Sequence, residues 1–448
     1  VPARRWDLVA GGAALLFFIA MAGIGGYLQR DSYVLGSRFP PLQAWWLPHA
    51  GSGTPLAVTV AVLVVVYGPA LALRLPWRTL LWSVWAVAMA WTWSLALVDG
   101  WQRGVARRLT VNGEYLSGVR RFDNVGPAVR GFTRHIVQNS PDPWPTHIAG
   151  HPVGAVLTFV GLDRIGLGGG AWAGAFCITA GTSAAMAVLM ALRILSGEQH
   201  ARAAAPFLVL FPGAIWVGAS ADGYFTGVAA WALALLAVAA TRTSPGRTAA
   251  AGLGSGLLLG AAFYLSYGLT LLVLPAAAIL LCRRSLRPVP YVLLGIAAVV
   301  TVFTAAGFNW WDAYWLLRTR YYQGIGGVRP FSYWFFGDLA TVVAAAGLAC
   351  VAGLRRAFAT APGTLRQGWR RRDPQMAATV LLPCGFLLAV LAADLSGMSK
   401  AETERIWLPF TLWLTAAAAF LPRRDHRLWL AAQAVAALLI NHLLLTGW

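Results

Sequence analysis

The residues of this chain whose types and spacing could do chemistry are concentrated between Asp99 and Pro152. They are Asp99, Glu114, Asp123, the pairs Arg120-Arg121 and Arg134-His135, and a closing run Thr146-His147-Ile148-Ala149-Gly150-His151-Pro152. Asp222 follows before Gly223, then Arg318 and Arg320 in an aromatic stretch, then Ser399-Lys400-Ala401-Glu402-Thr403-Glu404-Arg405, which holds the only lysine. Asp31 closes the first apolar run. A carboxylate can take the proton from an attacking hydroxyl, and cations can stabilise charge that develops on a leaving group. Arginine suits the second task because its planar guanidinium grips phosphate oxygens in pairs. Set above an apolar belt, these groups suit a substrate whose phosphate is carried on a lipid tail, with a sugar as the group transferred.

Each residue also has a plainer reading. Asp99 could be a helix-end residue solvated among head groups. Glu114 and Asp123 could pair with Arg108, Arg120 or Arg121 to hold their loop together. His147 and His151 are four apart, on one helical face, and contact with phosphate or sugar competes with a structural turn. A metal site is not expected, since the HExxH pattern is absent and Pro152 follows; the part of a divalent ion stays open. Asp222 before Gly223 fits sugar recognition or a connecting turn. Glu402, Glu404 and Arg405 fit a phosphate clamp or an internal ion pair that locks two spans. Arg318, Arg320 and Lys400 are cations on a face that normally carries few.

The elements that must position these groups are membrane helices. Of 448 residues, 58% are hydrophobic and 11% charged, with mean hydropathy +0.63. That excludes an ordinary soluble domain and predicts an all-α polytopic membrane protein. About thirteen apolar runs are expected to span, at 8–28, 56–75, 79–98, 170–194, 204–220, 224–241, 249–266, 268–282, 289–307, 337–354, 376–394, 406–422 and 428–446. The formal charge of +19 sits in short turns that fall on one side of this trace, which is the positive-inside pattern. The N-terminus is therefore expected in the cytoplasm and the C-terminus and reactive loops outside. The cluster Arg366 to Arg372 reads as an anchor for anionic lipid. A nucleic-acid partner is not expected, because no soluble basic domain carries the charge.

The first apolar run reads as a retained signal anchor. Cys177, Cys282, Cys350 and Cys384 lie in or at the ends of apolar runs without ligand spacing, and read as small hydrophobes. The interval 99–152 is too long for a bare connection, and 109–119 and 125–137 read as short surface helices. Segment 153–167 is apolar yet carries Asp163-Arg164, so it reads as a juxtamembrane or re-entrant helix. Trp45 and Trp46 read as interfacial anchors. The whole chain, 1–448, is expected to be one transmembrane domain.

The motifs Leu97-Val98-Asp99-Gly100, Glu114-Tyr115, Thr146 to Gly154 and Glu402-Thr403-Glu404-Arg405-Ile406-Trp407-Leu408-Pro409 resemble those of the GT-C superfamily of integral-membrane glycosyltransferases, in an actinobacterial branch. There the His-Pro stretch often reads GHPPG, and Val153 departs from it. The resemblance implies a polyprenyl-phosphate sugar donor, a cell-envelope glycan acceptor such as mannose-capped lipoarabinomannan, and inverting displacement in the plasma membrane. It implies a pentofuranose, methylthioxylose included, as the sugar. It also implies a general base at the outer end of an early span, which Asp99 matches best, with Asp31 as the counterpart if spans one and two are additions. His147, His151, Arg318, Arg320, Lys400 and Arg405 would then hold donor phosphate or sugar. A second class is a transporter or flippase of a lipid-linked sugar, for which matching broken helices are expected; no internal repeat is visible in the sequence. A third is a structural membrane subunit, with 99–152 as packing surface.

Overall fold

The structure, a computed structural model, describes residues 2–30, 33–241, 244–371 and 373–447. Asp31 lies outside the described residues. Among the described residues the regular elements are helices apart from one antiparallel strand pair, Ala44–Trp46 with Leu444–Thr446.

Seven helices among the described residues are long and apolar enough to cross a membrane: Arg4–Leu28, Thr54–Arg74, Trp77–Val98, Gly170–Ser196, Ala221–Thr241, Pro245–Leu265 and Pro374–Leu395. Two bent pairs raise the number to nine if each is one span. The chain is thus a multi-pass membrane protein, with fewer full crossings than its thirteen apolar runs suggest. Lipid-facing surface fits this: Leu8, Leu16, Ile19, Leu293, Leu294 and Val302 stand exposed.

The shortfall has local causes. Run 204–220 is interrupted: helix Glu198–Val209 ends at Leu210, Phe211-Pro212-Gly213 turns, and only Ala214–Val217 resumes the helix. Twelve residues rise about 18 Å, well short of about 30 Å of hydrocarbon. The Gly213 amide instead donates to the Ala345 carbonyl at 2.9 Å. Run 337–354 straddles Gly347, whose φ of 88° breaks the helix; its two flanking helices meet at a 101° bend. Run 289–307 forms Val289–Ala305, and the chain then turns 77° into Trp310–Gln323. Runs 268–282 and 406–422 form the shorter apolar helices Tyr267–Arg283 and Leu408–Phe420. Run 428–446 is helical only to Leu443 and then joins the strand pair.

The most extensive helix contact lies between Gly170–Ser196 and Ala221–Thr241. A Cβ on Gly227 would stand 2.3 Å from the Ala180 carbonyl, and one on Gly181 would stand 2.7 Å from that of Gly223. Small residues thus let two backbones touch where larger ones would hold them apart. Interval 99–152 holds tighter pieces than the two helices expected: a π turn at Gln102–Ala106, 3₁₀ turns at Arg108–Thr110, Tyr115–Phe122 and Phe132–His135, and two short α-helices, Val125–Arg130 and Thr146–Gly150. Gly113 and Gly131 fall between these pieces, and short runs without room for i→i+4 ladders favour 3₁₀ geometry. Val153–Arg164 is a twelve-residue helix with Val153, Val156, Phe159 and Val160 buried.

Candidate functional site

Asp99 caps the third crossing helix, and Gly100 takes a φ of 78° to turn the chain away. One Asp99 oxygen is 2.7 Å from His49 Nε2, the other accepts from Arg108 at 2.8 Å, and Arg103 stands at 3.8 Å. His49 Nδ1 contacts the Leu47 carbonyl at 2.6 Å. Arg108 also donates to the Thr446 carbonyl at 3.0 Å, and the His49 amide donates to the His442 carbonyl at 2.8 Å. Asp99, with 9% of its side chain exposed, therefore ties an aromatic loop and the C-terminal strand to one helix end. Burial lowers the Arg108 pKa, opposed by Asp99 and Glu114.

Glu114 meets His147 Nδ1 at 2.7 Å, so its partner is not an arginine of its own loop. The His147 amide donates to the Gly113 carbonyl at 2.8 Å, fixing the turn that presents both side chains. His151 Nδ1 lies 2.8 Å from the His147 carbonyl. Burial pushes the His151 pKa down to about 4, so the ring is neutral, donates from Nδ1, and keeps a lone pair on Nε2. Tyr115 packs on Phe159 and between the rings of His147 and His151. Its hydroxyl makes no hydrogen bond to the described residues, and burial pushes its pKa well up.

An ion triad lies beside these groups. Asp222, at the start of Ala221–Thr241, pairs with Arg405, and Arg405 donates to Glu402 at 3.0 Å. Arg329 stands 3.8 Å from Glu402 and donates to the carbonyls of Leu35, Gly36 and Lys400. Ala401 and Glu402 are both left-handed, at φ 71° and 64°, strain that non-glycine residues keep only where surroundings over-determine it. Asp338 supplies part of that hold by accepting from the Ala401 amide and the Thr403 hydroxyl, each at 3.1 Å. Burial raises the Glu402 pKa, but Arg405, Arg329 and His147 outweigh it and leave the carboxylate below its ordinary range. Burial likewise lowers Arg405, and Asp222, Glu402 and Glu114 overcome it, raising the pKa.

These contacts join into one belt in which carboxylates alternate with basic side chains: Asp99, Arg108, Glu114, His147, Glu402, Arg405, Asp222. Ion pairs or hydrogen bonds link most neighbours, and electrostatic reach links Arg108 to Glu114 and His147 to Glu402. Residues more than 300 apart in sequence thereby share one site. Such a belt can hold an anion against fixed guanidiniums and keep ionised carboxylates ready to accept a proton.

Other expected residues lie elsewhere. Glu404 does not pair with Arg405; it is fully buried and accepts from the Gln43 amide at 2.9 Å. Burial pushes its pKa up to about 7. Lys400 turns inward, donating to the Arg329 carbonyl at 2.8 Å. Asp123 is exposed, and Arg121 pairs with Asp142 at 2.8 Å while stacking 3.7 Å from the Trp144 ring centroid. Arg318 and Arg320 sit on Trp310–Gln323 and form no ion pair among the described residues. His49 and Arg329 are the members that sequence reasoning missed. Nothing local marks either one; His49 was hidden in an aromatic loop, and Arg329 in a Gly-rich turn before Pro330. Comparison with family models and with curated proteins finds no match for this chain.

Proposed function

We propose that the chain transfers a sugar from a polyprenyl phosphate to a cell-envelope glycan, as a GT-C-like inverting glycosyltransferase. The observation that carries the reading is the belt, above all Glu402: an ionised carboxylate held between two guanidiniums, at the end of a bundle whose apolar helices can keep a lipid tail. Glu402 has 22% of its side chain exposed, against 9% for Asp99, 7% for Glu114 and 4% for Asp222. It is therefore the carboxylate an acceptor hydroxyl reaches most readily, and we assign it the general-base role. Asp99, less exposed and bonded to His49 and Arg108, serves to position the loop. Arg405 and Arg329 lie where they would offset charge developing on the departing lipid phosphate. His151, neutral with a lone pair on Nε2, suits a sugar hydroxyl. In this reading the belt faces outward, with the N-terminus cytoplasmic. The motifs resemble those of the mycobacterial methylthioxylose transferase that modifies mannose caps of lipoarabinomannan, which makes a pentose the first donor to try.

The test is transfer of radiolabelled pentose from polyprenyl phosphate to mannan or arabinomannan by purified protein in nanodiscs. Wild type is expected to transfer. Glu402→Gln is expected to lose 10²- to 10⁴-fold, the usual worth of a positioned base, while still binding donor. Full activity in Glu402→Gln with loss in a folded Asp99→Asn would return the base role to Asp99. One observation favours a second reading, a transporter of the same lipid: Glu198–Val209 and Thr403–Ile406 are broken helices, the latter with ionisable groups at the break. Movement of donor across a proteoliposome without transfer would select it.

A further inference from the structure

The opposite end of the bundle holds a cationic pocket that the proposed reaction does not use. Arg202, Arg423, Arg424 and Arg427 line a cavity of about 240 Å³ whose far wall includes Ala70 and Leu73 of the crossing helix Thr54–Arg74. Arg423 also borders a wider cavity of about 630 Å³ beside it.

The charge around this pocket is unbalanced. No carboxylate lines the smaller cavity. The nearest acids are engaged: Glu198 with Arg193 and Arg202, both at 2.7 Å, and Asp425 with Arg4 at 3.1 Å and with the pocket's Arg424 at 3.9 Å. Arg202 is further fixed by the carbonyls of Ala72 and Leu75, so it forms the wall. Arg423 and Arg427 are exposed and form no ion pair among the described residues. Exposed guanidiniums beside an apolar wall offer forked N–H donors that match phosphate oxygens in pairs.

The wall identifies the anion's carrier. Leu73 is 45% exposed on a helix that crosses the membrane, and it stands at the level where that helix ends. A group seated on the arginines would therefore have hydrocarbon directly beside it. We propose that this pocket binds the phosphodiester head group of an anionic phospholipid, with its acyl chains along Ala70 and Leu73. It is independent of the sugar-transfer reading.

The experiment uses the full chain in detergent and reads retained lipid by native mass spectrometry, with phosphatidylglycerol and phosphatidylcholine offered in parallel. Wild type is expected to retain phosphatidylglycerol preferentially. An arginine near a lipid surface is worth about fivefold in binding, so Arg423→Gln/Arg427→Gln is expected to weaken retention about 25-fold. Both positions are exposed, so the variant should fold; Ala70→Trp, which fills the apolar wall, provides an independent loss. The proposal is overturned if both pocket variants retain phosphatidylglycerol like wild type, or if wild type retains the two lipids equally. It is also overturned if inorganic phosphate displaces phosphatidylglycerol and Ala70→Trp has no effect, since the site would then recognise a soluble anion.

Discussion

Arg405→Met is expected to cost more stability than any other single change in the belt. Arg405 is the only ion-pair partner of Asp222 among the described residues, and Asp222 has 4% of its side chain exposed. Removing the guanidinium leaves that carboxylate buried without its cation, a loss of about 3–5 kcal/mol. Glu402 adds little to the cost, because its 22% exposure lets water replace the lost bond. The companion change Asp222→Asn removes the stranded charge, so the double variant should recover most of the loss. The expected coupling is about 2–3 kcal/mol, at the upper end for residues in contact. Denaturant titration of wild type, both single variants and the double variant in mixed micelles, followed by tryptophan fluorescence, gives the cycle. Losses that add to within about 0.5 kcal/mol would mean that the two side chains do not depend on each other, and the triad would not be the structural centre described above.

Three further outcomes follow from the same geometry. Asp99→Asn weakens the bonds from His49 and Arg108, a loss of about 1.5–3 kcal/mol for charged hydrogen bonds; limited proteolysis should then cut near residues 33–49 and at the C-terminal strand sooner than in wild type, and an unchanged digest would contradict the tethering role. Glu404 has its pKa raised by burial from 4.5 to about 7, so the folded state holds a proton there that the unfolded chain releases earlier. Stability from this group is therefore fully present below about pH 4.5 and falls as pH rises to about 7, by up to about 3 kcal/mol; Glu404→Gln should flatten that part of the curve and keep the bond from Gln43, and an identical slope in both proteins would refute it. His151 has the opposite sense: its pKa is lowered from 6.5 to about 4, so its contribution is present above about pH 6.5 and is lost as pH falls toward 4. His151→Gln should lessen acid destabilisation in that window, measured by unfolding at stepped pH.

Much of the architecture was legible in the composition. Apolar runs separated by arginine turns identify membrane helices because hydrocarbon accepts little else. The number of crossings was not legible, since hydropathy sees Phe207 to Val217 as one apolar run and cannot see Pro212 and Gly213 turn it within the protein. The same limit applied at Gly347, where one glycine divides a run of span length. In the site, Glu114, His147, Glu402 and Arg405 stood out by type and by their short motifs. Their pairing did not: Glu404 is next to Arg405 in sequence, yet Arg405 pairs with Asp222, because one helical turn points adjacent side chains in different directions.

The sequence by itself determined that this chain lies in a membrane and that its scarce carboxylates and histidines gather in a few intervals, because each apolar run and each charge carries its own transfer free energy. Tertiary structure alone decided which of those charges meet. Ion pairing depends on distances of a few ångströms between helices far apart in the chain, set by glycine contacts, broken helices and the fold of 99–152. That is why Asp99 became a tether held by His49 and Arg108, while Glu402, Arg405 and Asp222 became the centre of the belt.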